Sequence, residues 1–158
     1  MIEVTATPAA PGDLSELLRL YRLLEVEMVA IKPVWRLTEG LAEPAADALA
    51  DALGDAATDV LVGRIDGVPV GFLIGQRAGL LPQADERRMA VIRYLFTETA
   101  AREVGVADAL VERFLAEQHE RGIMLFDAHV SPGHRLAKNF FESNGFTARH
   151  IVMHREDE

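Results

Sequence analysis

The chain contains no cysteine. That absence excludes disulfides, thiolate zinc sites and a cysteine nucleophile, and it leaves the redox compartment open. Also missing is any apolar run near the roughly 18 residues that a membrane span needs. The N-terminus, MIEVTATPAAPGD, lacks the basic region and apolar segment of a signal peptide. The cytoplasm is therefore the expected location, with no membrane partner. Basic residues are in deficit: 16 Lys and Arg stand against 25 Asp and Glu, for a net charge of −9. A nucleic-acid binder carries a basic patch or stripe, and here the densest basic clusters are only DERRMA and GHRLAK. Nucleic acid is not an expected partner. The acidity either favours a cationic amine substrate or serves only solubility.

What is present suits one domain over residues 1–158, with 49% hydrophobic residues to fill a core. IEVTATP alternates and ends at proline, which predicts a first strand. In the next segment Leu14, Leu17, Leu18, Tyr21, Leu24 and Met28 recur at helical spacing, and Asp13 with Glu16 resembles a capping box. Residues 38–53 read as a second helical region with Pro44 starting or breaking a segment. TDVLVGRIDGVPVGFLIGQ is two β-branched runs around Asp66-Gly67, a pair favoured in hairpin turns. MAVIRYLFT predicts a fourth strand. A helix follows REVGVA, buries Ala107, Leu110, Val111, Phe114 and Leu115, and stops at Gly122. IMLFDAHV predicts a fifth strand, SPGHRLAKNFFESNG a short helix capped by Ser131, and FTARHIVMHRE a closing strand. The fold class is α/β with a mixed sheet flanked by helices.

One stretch resists a plain reading. REVGVA places Gly105 and Ala107 where a helix begins, yet Gly costs about 1 kcal/mol relative to Ala inside a helix. A helix N-terminus presents free N–H groups and a partial positive charge, a ready site for a pyrophosphate. Small residues there let phosphates approach the main chain. The plain alternative is a tight strand-to-helix turn.

These residues carry a resemblance that spans nearly the whole chain. Arg102, Gly105 and Ala107 match the acetyl-CoA loop of the GNAT superfamily of N-acetyltransferases: Arg or Gln, two residues, Gly, one residue, Gly or Ala. Ala137, Phe140, Phe141, Gly145 and Phe146 match its second signature. The resemblance implies a mostly antiparallel sheet whose fourth and fifth strands splay apart. It implies acetyl-CoA as co-substrate, held by Arg102, Glu103, Val104, Gly105, Val106 and Ala107, with His134 and Phe141 beside it. The pantetheine arm would run along Leu95, Phe96 and Thr97, where a backbone N–H would serve the thioester oxygen. No metal is implied. His150 and His154 invite a zinc reading, but on a strand they would lie about 13 Å apart.

The chain also departs from that family. Phe141 stands where many members carry a tyrosine that protonates the departing thiolate, and His134 where many have asparagine. Tyr94 is a candidate substitute acid, or else a packed sheet residue. His129 occupies the position of a glutamate base in members that acetylate protein N-termini, and Asp127, two residues away, is expected to raise its pKa. Water is the competing proton acceptor. Trp35 and Arg36 lie in the region that commonly covers the acceptor, so they either shape that site or simply pack. The implied activity is transfer of an acetyl group to a primary amine of a small molecule or peptide. A non-catalytic acyl-CoA-binding module and an oligomerisation scaffold are the alternatives, and a homodimer is left open.

Overall fold

The computed structural model describes residues 1–158. Asp66 and Gly67 both take positive φ, 49° and 83°, the pairing a two-residue hairpin turn requires. They join β2 (Thr58–Ile65) to β3 (Val68–Ala78). β1 (Val4–Pro8) pairs with β2, and β4 (Met89–Thr97) with β3, all antiparallel. β5 (Leu125–Ala128) then adds parallel to β4, giving the order β1-β2-β3-β4-β5. This is the mixed, mostly antiparallel sheet that the family pattern implies.

Helices cover both faces. α1 (Leu14–Ile31), the single turn α2 (Trp35–Thr38) and α3 (Ala45–Gly54) lie on one. α1 buries Leu17, Leu20, Tyr21, Leu24 and Met28 against Val60, Val62, Phe72 and Ile74 of the sheet. α4 (Val106–Glu120) and α5 (Arg135–Ser143) lie on the other. There Val106, Leu110, Val111 and Phe114 pack on Leu61 and Leu73. Each fully buried side chain of this size contributes about 1.5–3 kcal/mol, so both layers hold the sheet firmly. No helix is long and apolar enough to cross a membrane.

β4 changes face partway along. Gly75 pairs with Ile92 but Ile74 pairs with Tyr94, so Arg93 is an extra residue in the ladder, a bulge. Before it, Ala90 and Ile92 point into the α4 layer; after it, Tyr94 and Phe96 point into the α1 layer. The ladder to β5 ends at the same place, with Ile92 opposite Ala128.

Several local expectations are corrected. FTARHIVMHRE forms no strand: Ile151, Val152 and Met153 are exposed, and no sheet edge pairs with them. The fifth strand stops at Ala128 because β4 turns away at the bulge, leaving the rest of IMLFDAHV without a ladder. Ser131 does not cap α5; His134 occupies the cap position and donates its N–H to the Ser131 carbonyl. Asp13 accepts from the Ala10 N–H, so its cap belongs to the short turn before α1. The second helical region begins only at Ala45. On α4, Val106 and Gln118 are fully buried, whereas Ala107 and Leu115 are half-buried.

Candidate active site

The bulge and the short β5 open a cleft between the fourth and fifth strands. His129 stands at its apex, where its N–H donates to the Ile92 carbonyl at 3.0 Å. Beyond that bond β4, still paired with β3 on its other side, has no partner on its β5 side from Arg93 to Thr97. The Glu98 N–H donates to the Val70 carbonyl, which fixes the alternation. Phe96 therefore turns its N–H and C=O toward β3, while Leu95 and Thr97 turn theirs into the open cleft. Of the three residues expected along the pantetheine arm, Leu95 and Thr97 have the right backbone direction and Phe96 does not.

α4 starts at the far end of that edge. Gly105, its N-cap, has φ +100°, a left-handed conformation that glycine adopts without strain. Glu103 also lies at positive φ, 69°. The first intrahelical bond runs from the Ala109 N–H to the Gly105 carbonyl, and no side chain caps the helix. The amides of Glu103, Val104, Gly105, Val106, Ala107 and Asp108 thus have no protein acceptor. A row of donors at a helix's positive end suits an anion. The Arg102 side chain is not part of that row. Its Nε donates to the Thr97 carbonyl at 3.0 Å and its Nη2 to Glu27 at 2.7 Å.

The apex is built of side chains. Burial, and next the Arg93 cation, push the His129 pKa below its usual value, against opposing pulls from Glu39 and Asp127. The expectation that Asp127 raises this pKa is corrected: its pull is present but outweighed. Asp127 is engaged by Arg149, whose Nε donates to its carboxylate at 2.7 Å and holds the Asp127 pKa below its usual value. His129 is accordingly a neutral imidazole at neutral pH, the form that can accept a proton.

Tyr94 does not fit the role of substitute acid. Its ring is 6% exposed, packed 6.2 Å from Trp35 and 6.1 Å from Tyr21. Its O–H donates to the Glu39 carbonyl, and burial pushes its pKa up to about 12. Trp35 is likewise a core residue, 7% exposed. Arg36 lies outside, paired with Glu25 and Glu43. Phe141 is 5% exposed, edge-on to Phe140 and Phe146 at 5.3 and 5.2 Å. His134 faces Glu27 at 3.5 Å, and burial pushes its pKa down. Sequence reasoning missed Arg93, Glu39 and Glu27. No local signal marks the last two, which reach the cleft from other elements. Arg93 has one faint sign, a charge inside an otherwise apolar strand.

Comparison with known proteins agrees with this architecture. No curated protein sequence matches the chain. Among solved structures, a transcriptional regulator from Bacillus halodurans C-125 is similar at 23% identity and TM-score 0.74, covering 98% of this chain and 100% of that one. An aminoglycoside acetyltransferase, meta-AAC0020, from an uncultured soil metagenomic sample is similar at 20% identity and TM-score 0.72, over 99% and 95%. AAC(6')-Iy in complex with a CoA-containing bisubstrate analog is similar at 18% identity and TM-score 0.72, over 98% and 99%. These likenesses are of fold. The family model for the acetyltransferase (GNAT) family matches residues 17–146, most of the chain, and on that match the chain belongs to this family.

Proposed function

We propose that the protein transfers an acetyl group from acetyl-CoA to a primary amine of a small molecule or peptide. The observation that carries this reading is the row of unpartnered amides from Glu103 to Asp108, set at the end of the open β4 edge. Those amides hold the pyrophosphate. Leu95 and Thr97 accept the pantetheine arm as an added strand. The Leu95 N–H is the nearest cleft-facing amide to His129 along β4 and is the donor to the thioester oxygen, whose charge grows as the amine attacks. His129 takes the proton that the amine must shed. The new C–N bond forms, the C–S bond breaks, and CoA leaves as a thiolate. A thiol pKa of about 8.5 makes that departure tolerable without an acid.

Phe141 favours a second reading. It supplies no proton, and the Tyr94 hydroxyl is committed to Glu39, so a module that binds acyl-CoA without turnover would carry the same residues. Free-thiol release from acetyl-CoA, measured across an amine panel that includes aminoglycosides, separates the two. The expected outcome is thiol release that depends on the amine, with the acetylated product seen by mass spectrometry. Tight CoA binding without release for any amine would replace the enzyme with the binding module. Loss of all CoA binding would leave only a scaffold.

A further inference from the structure

α1 reaches both walls of the cleft through one side chain, Glu27. Its Oε1 accepts from Arg102 Nη2 at 2.7 Å, and its Oε2 faces His134 Nε2 at 3.5 Å. Arg102 belongs to the loop before α4, and His134 is the cap residue of α5. Next to His134 the same helix packs so closely that a Cβ on Gly133 would stand 2.7 Å from Ile31 Cγ2. Glu27 also lines a cavity of about 310 Å³ at the end of β4, together with Phe96, Glu98 and Thr99.

Three features set this contact apart from an ordinary surface ion pair. First, the Arg102 guanidinium is held at three points: by Glu27, by the Thr97 carbonyl, and over the Phe96 ring at 5.7 Å. Second, the residue that follows it, Glu103, sits in the left-handed region. A non-glycine residue persists there only where its surroundings over-determine the backbone. Third, Glu27 Oε2 is buried with no hydrogen-bond partner, and so is Thr97 Oγ1 nearby. Folding alone gains nothing from leaving such groups unpaired.

We propose that Glu27 is a positioning residue for the CoA cleft: through Arg102 it fixes the strained backbone that aims the Glu103–Asp108 amides. This rests on the acetyltransferase reading. Because Arg102 is spent on this scaffold, the phosphates are held by backbone N–H groups and not by its charge. Its bond to the Thr97 carbonyl leaves the pantetheine arm the Leu95 N–H and C=O and the Thr97 N–H.

The test is a double-mutant cycle on CoA affinity with Glu27→Gln and Arg102→Gln, glutamine being a residue the family loop accepts at that position. Calorimetry should show Glu27→Gln weakening CoA roughly tenfold, within the range that couplings inside one polar network span. The KM for acetyl-CoA should rise in step, with kcat at saturation within about twofold of wild type. A folding defect would instead lower the active fraction, and so kcat, at unchanged KM. In the Arg102→Gln background the same change at Glu27 should cost almost nothing. An equal cost in both backgrounds, or unchanged affinity in Glu27→Gln, would overturn the inference while the acetyltransferase reading stood. Wild type that binds no CoA would instead overturn that reading, and the inference with it.

Discussion

The two ends of the cleft are made of different material. The end at α4 is backbone: six free amides, a glycine at φ +100° and the outward edge of Leu95 and Thr97. The end at the apex is side chains: His129, the Arg93 and Glu39 charges that act on it, and the buried Phe141. A backbone site depends on where the chain turns, and only a glycine or a misplaced cap can signal that locally. A side-chain site depends on which residues converge from distant elements. The first end follows the family pattern residue by residue. The second departs from it at Phe141 and, relative to the members with a glutamate base, at His129. At the apex one substitution can change the chemistry without moving the main chain.

The largest expected effect breaks the backbone end. Gly105→Glu forces a Cβ-bearing residue to φ +100° and sets a carboxylate among the amides. No neighbour lies within 4 Å of a Cβ there, so the fold should survive, at a strain cost of about 1–2 kcal/mol. Calorimetry should find CoA affinity reduced more than roughly 100-fold, since like-charge repulsion of several kcal/mol adds to lost approach. Gly105→Ala carries the strain without the charge and should fall in between. Unchanged affinity in Gly105→Glu would remove the pyrophosphate from this loop.

Next in size is the base proposed at the apex. His129→Ala should lower the rate of acetyl transfer by roughly 100-fold, the low end of what a positioned base is worth because water competes as proton acceptor, with little change in CoA binding. The pH dependence sharpens the test. A base works only when unprotonated, and burial with Arg93 depresses the His129 pKa below about 6.5. The wild-type rate should therefore fall as pH drops through that depressed value, and hold to a lower pH than an ordinary histidine would allow. The same depression affects folding. The unfolded histidine takes a proton first, so the stability that neutral His129 contributes is present above about 6.5 and is lost as pH falls through the folded value. In His129→Ala the acid limb of the rate profile should vanish. A variant that keeps both its rate and that limb would pass the proton to water instead.

This contrast also marks what could be read from the sequence. The Asp66-Gly67 hairpin, the bounds of β4 and the stop at Gly122 are written in local turn chemistry and β-branched runs, and all three are found in place. Gly105 stood out because it is costly inside a helix. The bulge at Arg93 left only the faint sign of its charge, because MAVIRYLFT is otherwise apolar on both faces and an inserted residue does not interrupt the pattern. Glu27 and Arg102 lie 75 residues apart, and no periodicity links them. The closing strand failed for the complementary reason. FTARHIVMHRE has strand composition, but pairing needs a partner edge, which composition cannot supply.

The smallest expected effect is a gain, and it asks whether the apex has a gap. Phe141 lies where many family members place a tyrosine, within the apolar cluster that also includes Leu95. Phe141→Tyr adds one hydroxyl to a ring held edge-on between Phe140 and Phe146. If the para edge of the ring opens into the cleft, the hydroxyl can protonate the leaving thiolate. Single-turnover transfer should then rise about tenfold, short of the full worth of an acid because a thiol of pKa about 8.5 already departs tolerably. The gain should be largest with weakly basic amines, which leave less driving force for thiolate departure. If the para edge faces the core, the hydroxyl is buried without a partner and costs about 1–3 kcal/mol. The melting temperature would then drop by roughly 2–12 °C for a domain of this size, with no gain in rate. Rate and melting temperature measured on one sample separate the two directions. A stable variant with intact CoA affinity and an unchanged chemical rate would show that thiolate release needs no acid here. The backbone end alone would then follow the family pattern in this chain, and His129 would be the one side chain proposed to act in the chemistry.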